Sequence, residues 1–211
     1  MAELLTPFLG GAPLSAGQLK QLSQYLNLLL RWNAKINLTA VRDEEHIVTR
    51  HIGESVFAAR HLFPAEAGQP GAVIDLGSGA GLPGVPLKIA VPEISLTLIE
   101  SQNKKATFLK EVVRCLELEH VRVFNGRAEG FPDRAGLVTL RAVEHFEAVL
   151  PVAESLVAEG SERPGRIALL IGKAQVPVAH EILPALRWQE AIAIPQALAR
   201  VLLIGTKQPG K

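Results

Sequence analysis

Val73-Ile74-Asp75-Leu76-Gly77-Ser78-Gly79-Ala80-Gly81-Leu82-Pro83-Gly84 decides how this chain is read. An apolar run ends in a carboxylate, passes into a glycine-rich turn and reopens as a helix. Such a strand-turn-helix brings its backbone close to a nucleotide-like ligand. Gly79-x-Gly81-x-x-Gly84 matches the dinucleotide fingerprint in form, but two residues argue against a dinucleotide. There the turn and the helix N-terminus donate N–H groups to a pyrophosphate. Asp75 would repel that anion, and Pro83, where the helix should begin, has no N–H to offer. S-adenosylmethionine presents instead an ammonium, a carboxylate and a sulfonium. Asp75 suits the ammonium and the loop N–H groups suit the carboxylate. The plainer reading of Asp75 is a helix cap in a buried turn.

The bulk properties set the frame. With 211 residues the chain suits one α/β domain with an appendage, enough to bury a sizeable core. No apolar run approaches the length of a membrane span, and Met1-Ala2-Glu3 lacks the basic start of a signal peptide, so the expected location is the cytoplasm. Cys115 is the single cysteine and lies in an apolar helical stretch, where an inert core thiol is expected. A net charge of +1 is not that of a protein that coats nucleic acid, although positive residues do bunch at Arg31, Lys35, Arg42, Arg50 and Arg60, and again at Lys104, Lys105, Lys110 and Arg114. The second group reads equally well as a solvated helix face. No metal-ligand cluster is evident, and a monomer is expected.

Leu19, Leu22, Leu26 and Leu29 recur at helical spacing over about 15–33, with Ser15 as the cap. A second amphipathic helix is expected over about 43–62, with Asp43 and Glu44 at its positive end. Pro64 and the Gly68–Gly71 turn then separate a helical extension (1–68) from the α/β body (69–211). In the body, strands are readable at 72–76, 96–99, 121–124, 137–140, 166–171, 188–194 and 200–205, with helices near 82–91, 102–118 and 145–158. Repeated βα units predict a mostly parallel, seven-stranded sheet flanked by helices. The short Pro195–Ala199 connection makes the last strand antiparallel. This is the Rossmann-like architecture of the class I methyltransferases, whose ligand lies beyond the carboxyl ends of the strands.

Those ends carry the candidate site. Glu100 closes the second strand, where an acid can accept hydrogen bonds from a ribose diol. After the third strand, Gly126-Arg127-Ala128-Glu129 is placed to read an adenine edge, or is an ordinary βα loop. Arg141 ends the fourth strand, and a buried arginine needs an anion or carbonyl for its fork of donors. A salt bridge to Glu144 is the plainer alternative.

Taken together, these pieces resemble one family, RsmG (GidB), the bacterial 16S rRNA guanine-N7 methyltransferases. The resemblance rests on Arg31-Trp32-Asn33, Asn37-Leu38-Thr39-Ala40-Val41-Arg42, Arg50-His51-Ile52 up to Ser55, and Gly77 to Leu87. It continues through Glu100-Ser101 with Lys104-Lys105 and Phe108-Leu109, then Arg127-Ala128-Glu129 and Arg141-Ala142-Val143. It implies methyl transfer from S-adenosylmethionine to N7 of a guanosine in the decoding region of small-subunit rRNA. Cofactor contacts are implied at Gly77, Leu82, Ala128, Glu129 and Arg141, with Glu100 on the ribose; the loop reading adds Asp75 and Gly79. Arg141 is the expected catalytic residue, orienting the guanine or the cofactor carboxylate. Arg50, His51 and Ser55 are expected on the RNA side of the cleft. Trp32 is read as a core residue gluing the extension to the sheet, with base stacking as the alternative. Glu54 stands where the family often has Asp, and Lys173 follows Gly172 where the family often has the lysine first; no role is assigned to Lys173. The rival functions are a nicotinamide-dependent reductase and a non-catalytic RNA-binding or ribosome-assembly module on the same fold.

Overall fold

The computed structural model describes residues 1–64, 71–143, 145–159 and 164–208. Its helices are α1 (Ala2–Leu5), α2 (Ala16–Asn33), α3 (Glu44–His46), α4 (Glu54–Leu62), α5 (Gly84–Ala90), α6 (Asn103–Cys115), α7 (Phe146–Ser155) and α8 (Val176–Ile182). Its strands are β1 (Ala72–Leu76), β2 (Ser95–Glu100), β3 (Val121–Asn125), β4 (Leu137–Arg141), β5 (Arg166–Gly172), β6 (Leu186–Trp188), β7 (Ile192–Ala193) and β8 (Arg200–Lys207). The sheet runs β3-β2-β1-β4-β5-β8-β6, parallel through β5, with β8 antiparallel between β5 and the β6/β7 segment. The strand order reverses between β1 and β4, which opens the ligand crevice at their carboxyl ends.

Side-chain alternation assigns the two faces. Val73, Leu96, Leu98, Leu137, Leu170, Leu202 and Ile204 face one core with the helices of the extension, α5 and α6. Ile74, Ile99, Val138, Leu140, Leu169, Val201 and Leu203 face a second core that includes Leu150 of α7 and Ala179 of α8. The same period places Asp75, Glu100, Thr139, Arg141 and Arg200 on the first face. All but Thr139 and Asp75 terminate their strands at the crevice.

The helical extension belongs to the first core. Ser15 caps α2 reciprocally with Gln18, as its sequence position predicts: Gln18 N–H donates to Ser15 Oγ at 3.2 Å and Ser15 N–H to Gln18 Oε1 at 2.8 Å. Gln18, Tyr25 and Trp32 recur every seven residues, so they share one stripe of α2. Gln18 Nε2 donates to the Ile89 and Ala90 carbonyls that end α5, and Trp32 Nε1 donates to Glu111 on α6 at 3.1 Å. Trp32, expected in the core against the sheet, is half-buried and joins α2 to the helix α6, packing against Phe108.

Four expectations are corrected. The second helix is not regular: α3 passes through a π-helical turn, Ile47–Gly53, into α4. Residues 188–194 do not form one strand. Between the Trp188–Gly205 and Ile192–Leu202 pairs this strand advances four residues and β8 three, so one extra residue bulges at Gln189–Ala191. Cys115 is exposed: it lies on the flank of the Ala106, Phe108, Leu109, Val112 stripe, in the last turn of α6. α8 is missing from the sequence reading because its seven residues carry Pro177 in the first turn and little periodicity. The Gly68–Gly71 turn and the boundary drawn there fall, apart from Gly71, outside the described residues.

Gly53 tests the packing of the extension. A Cβ there would meet a ring carbon of the fully buried Phe8 at 2.7 Å. The helix-propensity gain of Gly→Ala, up to about 1 kcal/mol, is outweighed by overpacking of about 1–3 kcal/mol. Gly53→Ala should therefore lower the urea midpoint, where an exposed helical Gly→Ala would raise it.

Candidate active site

The glycine turn between β1 and α5 is held from three sides. Gly77, Gly79 and Gly81 have φ of +70°, +54° and +85°, a region that L side chains rarely adopt. From below, Asp75 is buried, with Oδ1 accepting from Thr139 Oγ1 at 2.8 Å and Oδ2 from Gly84 N–H at 3.3 Å. It caps α5 and ties β1 to β4, the plainer of its two sequence readings, and burial raises its pKa to about 6. From β2, Glu100 accepts from Gly79 N–H at 2.9 Å and from Gln102 N–H at 2.7 Å. From the extension, buried Tyr25 donates its hydroxyl to the Ala80 carbonyl at 2.6 Å. Burial pushes the Tyr25 pKa upward, so it remains a donor.

This turn fits the nucleoside of S-adenosylmethionine better than a pyrophosphate. The first N–H of α5 already has an anion, Asp75, and Pro83 offers none. A diphosphate would have to displace a buried carboxylate. Around the turn stand the Glu100 carboxylate at the end of β2, which accepts from the Gly79 and Gln102 N–H groups, and the short turn Ala128–Gly130 after β3. Ala128 is buried and Glu129 is exposed. Leu82 is buried in the turn itself. A Cβ on Gly77 would come within 3.1 Å of Val143, so the turn and the segment after β4 approach closely there.

A second cluster lies beside this turn, at the ends of β4 and β8. Arg141, 7% exposed, donates from Nη2 to the Arg50 carbonyl at 2.9 Å, to His51 Nδ1 at 2.8 Å and to Glu54 Oε2 at 3.1 Å. Arg200 Nε donates to both Glu54 oxygens, at 2.9 and 3.0 Å. Arg141 Nε and Arg200 Nη2 are buried and have no hydrogen-bond partner among the described residues. The pairing of Arg141 is thus with Glu54; Glu144, the partner considered from sequence, lies outside the described residues.

The tautomer of His51 follows from its neighbours. A guanidinium can only donate, so Nδ1 accepts from Arg141 and Nε2 carries the proton, donating to Thr39 Oγ1 at 2.8 Å. Burial, and then the Arg141 charge, lower the His51 pKa to about 3, so the ring is neutral. His51 and Ser55 are buried, and Ser55 Oγ donates to the His51 carbonyl within its own helix at 2.7 Å. Of the three residues expected on the RNA side, only Arg50 has an exposed side chain. Tyr25 and Arg200 are absent from the sequence reading, and Thr39 and Glu54 enter it only as members of motifs, with no role at the site. Arg200 was accessible in part, because an antiparallel last strand must begin at the crevice; Glu54 carried a signal only as a departure from the family pattern.

Among the described residues no group of three or more His, Cys, Asp or Glu could hold a metal ion, and no helix is long and apolar enough to cross a membrane. The profile of the GidB family, described as rRNA small subunit methyltransferase G, matches residues 18–175. A ribosomal RNA small subunit methyltransferase G from Chloroflexus aggregans is 37% identical, covering 93% of this chain and 85% of its own length. One from Xanthomonas axonopodis pv. citri is 41% identical over 78% of this chain and 72% of its own length. Among solved structures, a magnesium protoporphyrin IX methyltransferase from Synechocystis PCC 6803 with bound SAM superposes with TM-score 0.65 at 14% identity, over 94% of this chain and 100% of that one. A ribosomal protein L11 methylase from Lactobacillus delbrueckii subsp. bulgaricus has TM-score 0.59 at 15% identity, over 74% and 80% of the two chains. These two share the class I methyltransferase fold with this chain.

The depressed pKa of His51 has a pH signature. Below 6.5 the unfolded histidine takes up a proton that the folded one refuses until about 3, so this group's contribution falls as pH falls through that window. The raised pKa of Asp75 has the opposite slope between 3.8 and about 6. Wild type and His51→Gln share the Asp75 slope, so their difference isolates His51. Urea titrations should show wild type gaining on the variant by about 1.4 kcal/mol per pH unit from roughly pH 4 to 6. A constant gap would show that His51 titrates normally in the fold.

Proposed function

The chain belongs to the GidB family of rRNA small-subunit methyltransferases, and we propose that it transfers the methyl group of S-adenosylmethionine to N7 of one guanosine in the decoding region of 16S rRNA. The observation that carries the cofactor reading is the glycine turn whose helix N-terminus is capped by Asp75, beside a strand-ending Glu100. In this reading the Gly77–Leu82 turn, Glu100, Ala128 and Glu129 hold the cofactor. Asp75 acts beneath the turn, setting its shape.

S-adenosylmethionine supplies an already activated sulfonium methyl. Guanine N7 has an in-plane lone pair and no proton to lose, so the protein's task is alignment, which can lower a barrier by about 7–11 kcal/mol. That fits a site whose histidine is held neutral and used as a hydrogen-bond acceptor. N7 lies on an edge that side chains cannot reach in an A-form helix, so the base must arrive unpaired or splayed out. Arg141 orients the guanine or the cofactor carboxylate. Its Nη2 meets three acceptors, and its Nε–H has no partner among the described residues. The extension, residues 1–68, supports the cofactor turn through Tyr25 and forms the RNA-side wall through Arg50.

The decisive experiment incubates the protein with labelled S-adenosylmethionine and unmethylated small subunits or their rRNA, and maps the product by chemical cleavage at N7-methylguanosine. One modified guanosine in the decoding region is expected. A scaffold would bind RNA and leave no label, and a reductase would bind a nicotinamide dinucleotide in place of the sulfonium compound. Arg141→Lys keeps the charge and loses the planar fork; it should reduce turnover by roughly tenfold or more while the protein stays folded by circular dichroism.

A further inference from the structure

The antiparallel last strand brings a hairpin loop to the ligand edge of the sheet. Arg200 pairs with Gly172 at the carboxyl end of β5, so the Pro195–Ala199 loop stands beside the crevice. Its base is fastened by Lys173 N–H to the Ala199 carbonyl at 2.8 Å and Ile194 N–H to the Arg200 carbonyl at 3.2 Å. Its tip carries Leu198, fully in solvent at 102% relative exposure. Leu198 is thus a large apolar side chain held in solvent by an anchored loop at the ligand edge.

The space between this loop and the π-helical turn is a cleft of about 370 Å³, lined among others by Phe8, Thr49, Arg50, Pro195 and Arg200. Its charge is positive. The Glu54 carboxylate at its floor is fully engaged by Arg141 and Arg200, which leaves the Arg50 guanidinium and the outer edge of Arg200 for an anionic chain. The volume is that of a pocket for one nucleotide-sized ligand.

We propose that Leu198 is a wedge that enters the base stack of the RNA when the target guanosine leaves it, while the flanking nucleotide's phosphate lies in the cleft against Arg50 and Arg200. This rests on the function proposed above, in which the base must leave its stack. Extrusion costs unstacking energy, and an apolar side chain filling the vacated position recovers part of it. The loop and the cleft are adjacent, so one RNA strand can meet both.

The test uses full-length protein and the substrate that wild type methylates, rRNA or small subunit. Leu198→Ala should lower kcat/KM for the RNA by roughly tenfold and Leu198→Asp by more, while Leu198→Met keeps most of it. Calorimetry should show S-adenosylmethionine affinity unchanged in all three. Because the Leu198 side chain is fully exposed, their melting temperatures should match wild type. A photo-crosslinking residue at position 198 should label RNA next to the target guanosine. Alanine and aspartate variants with wild-type kcat/KM, or a crosslink to a ribosomal protein, would overturn the wedge and leave the methyltransferase reading standing. Wild type that methylates no rRNA would overturn both.

Discussion

The carboxylate of Glu54 is 1% exposed and lies between the guanidinium groups of Arg141 and Arg200. A buried charge left unpaired costs several kcal/mol, so these groups must be brought together for the chain to fold in this arrangement. They come from the helical extension, from β4 and from β8. One carboxylate therefore joins the parts of the chain that border the crevice. It also leaves the cluster with two positive charges against one negative. The neutral state of His51 does not add to that excess, because its lone pair is committed to Arg141 and its N–H to Thr39.

A positive cluster next to the glycine turn sets two chemically different environments side by side. The turn has its own internal anion at Asp75 and offers no place for a diphosphate. The cluster holds buried N–H groups on Arg141 and Arg200 that have no partner among the described residues. A cationic sulfonium nucleoside suits the first environment. An anionic polymer with acceptor-rich bases suits the second. The family assignment and this division of charge agree, although neither follows from the other.

The extension is what makes the two environments one site. The stripe Gln18, Tyr25, Trp32 fastens α2 to α5, the glycine turn and α6 in turn. The π-helical turn then presents the Arg50 carbonyl and His51 to Arg141 of β4, and the start of α4 presents Glu54. A π turn is rare and frequently lies at a functional site. Here it is backed by Phe8 against Gly53, with no space for even a methyl group.

The sequence by itself determined the strand-turn-helix at residues 73–84, the βα order, the antiparallel last strand, the Ser15 cap and the strand-ending Glu100 and Arg141. Each of these is written in local periodicity or in the chemistry of a few adjacent residues. Only the tertiary structure decided which groups meet. Arg200 reaches Glu54 across 146 positions and Tyr25 reaches Ala80 across 55, contacts set by strand register and helix packing that no local pattern records. The same holds for burial. Ser55 and His51 look like surface donors in a polar motif, and Cys115 looks like core, until the faces of their helices are known. Side-chain chemistry is local, whereas exposure and pairing belong to the assembled fold.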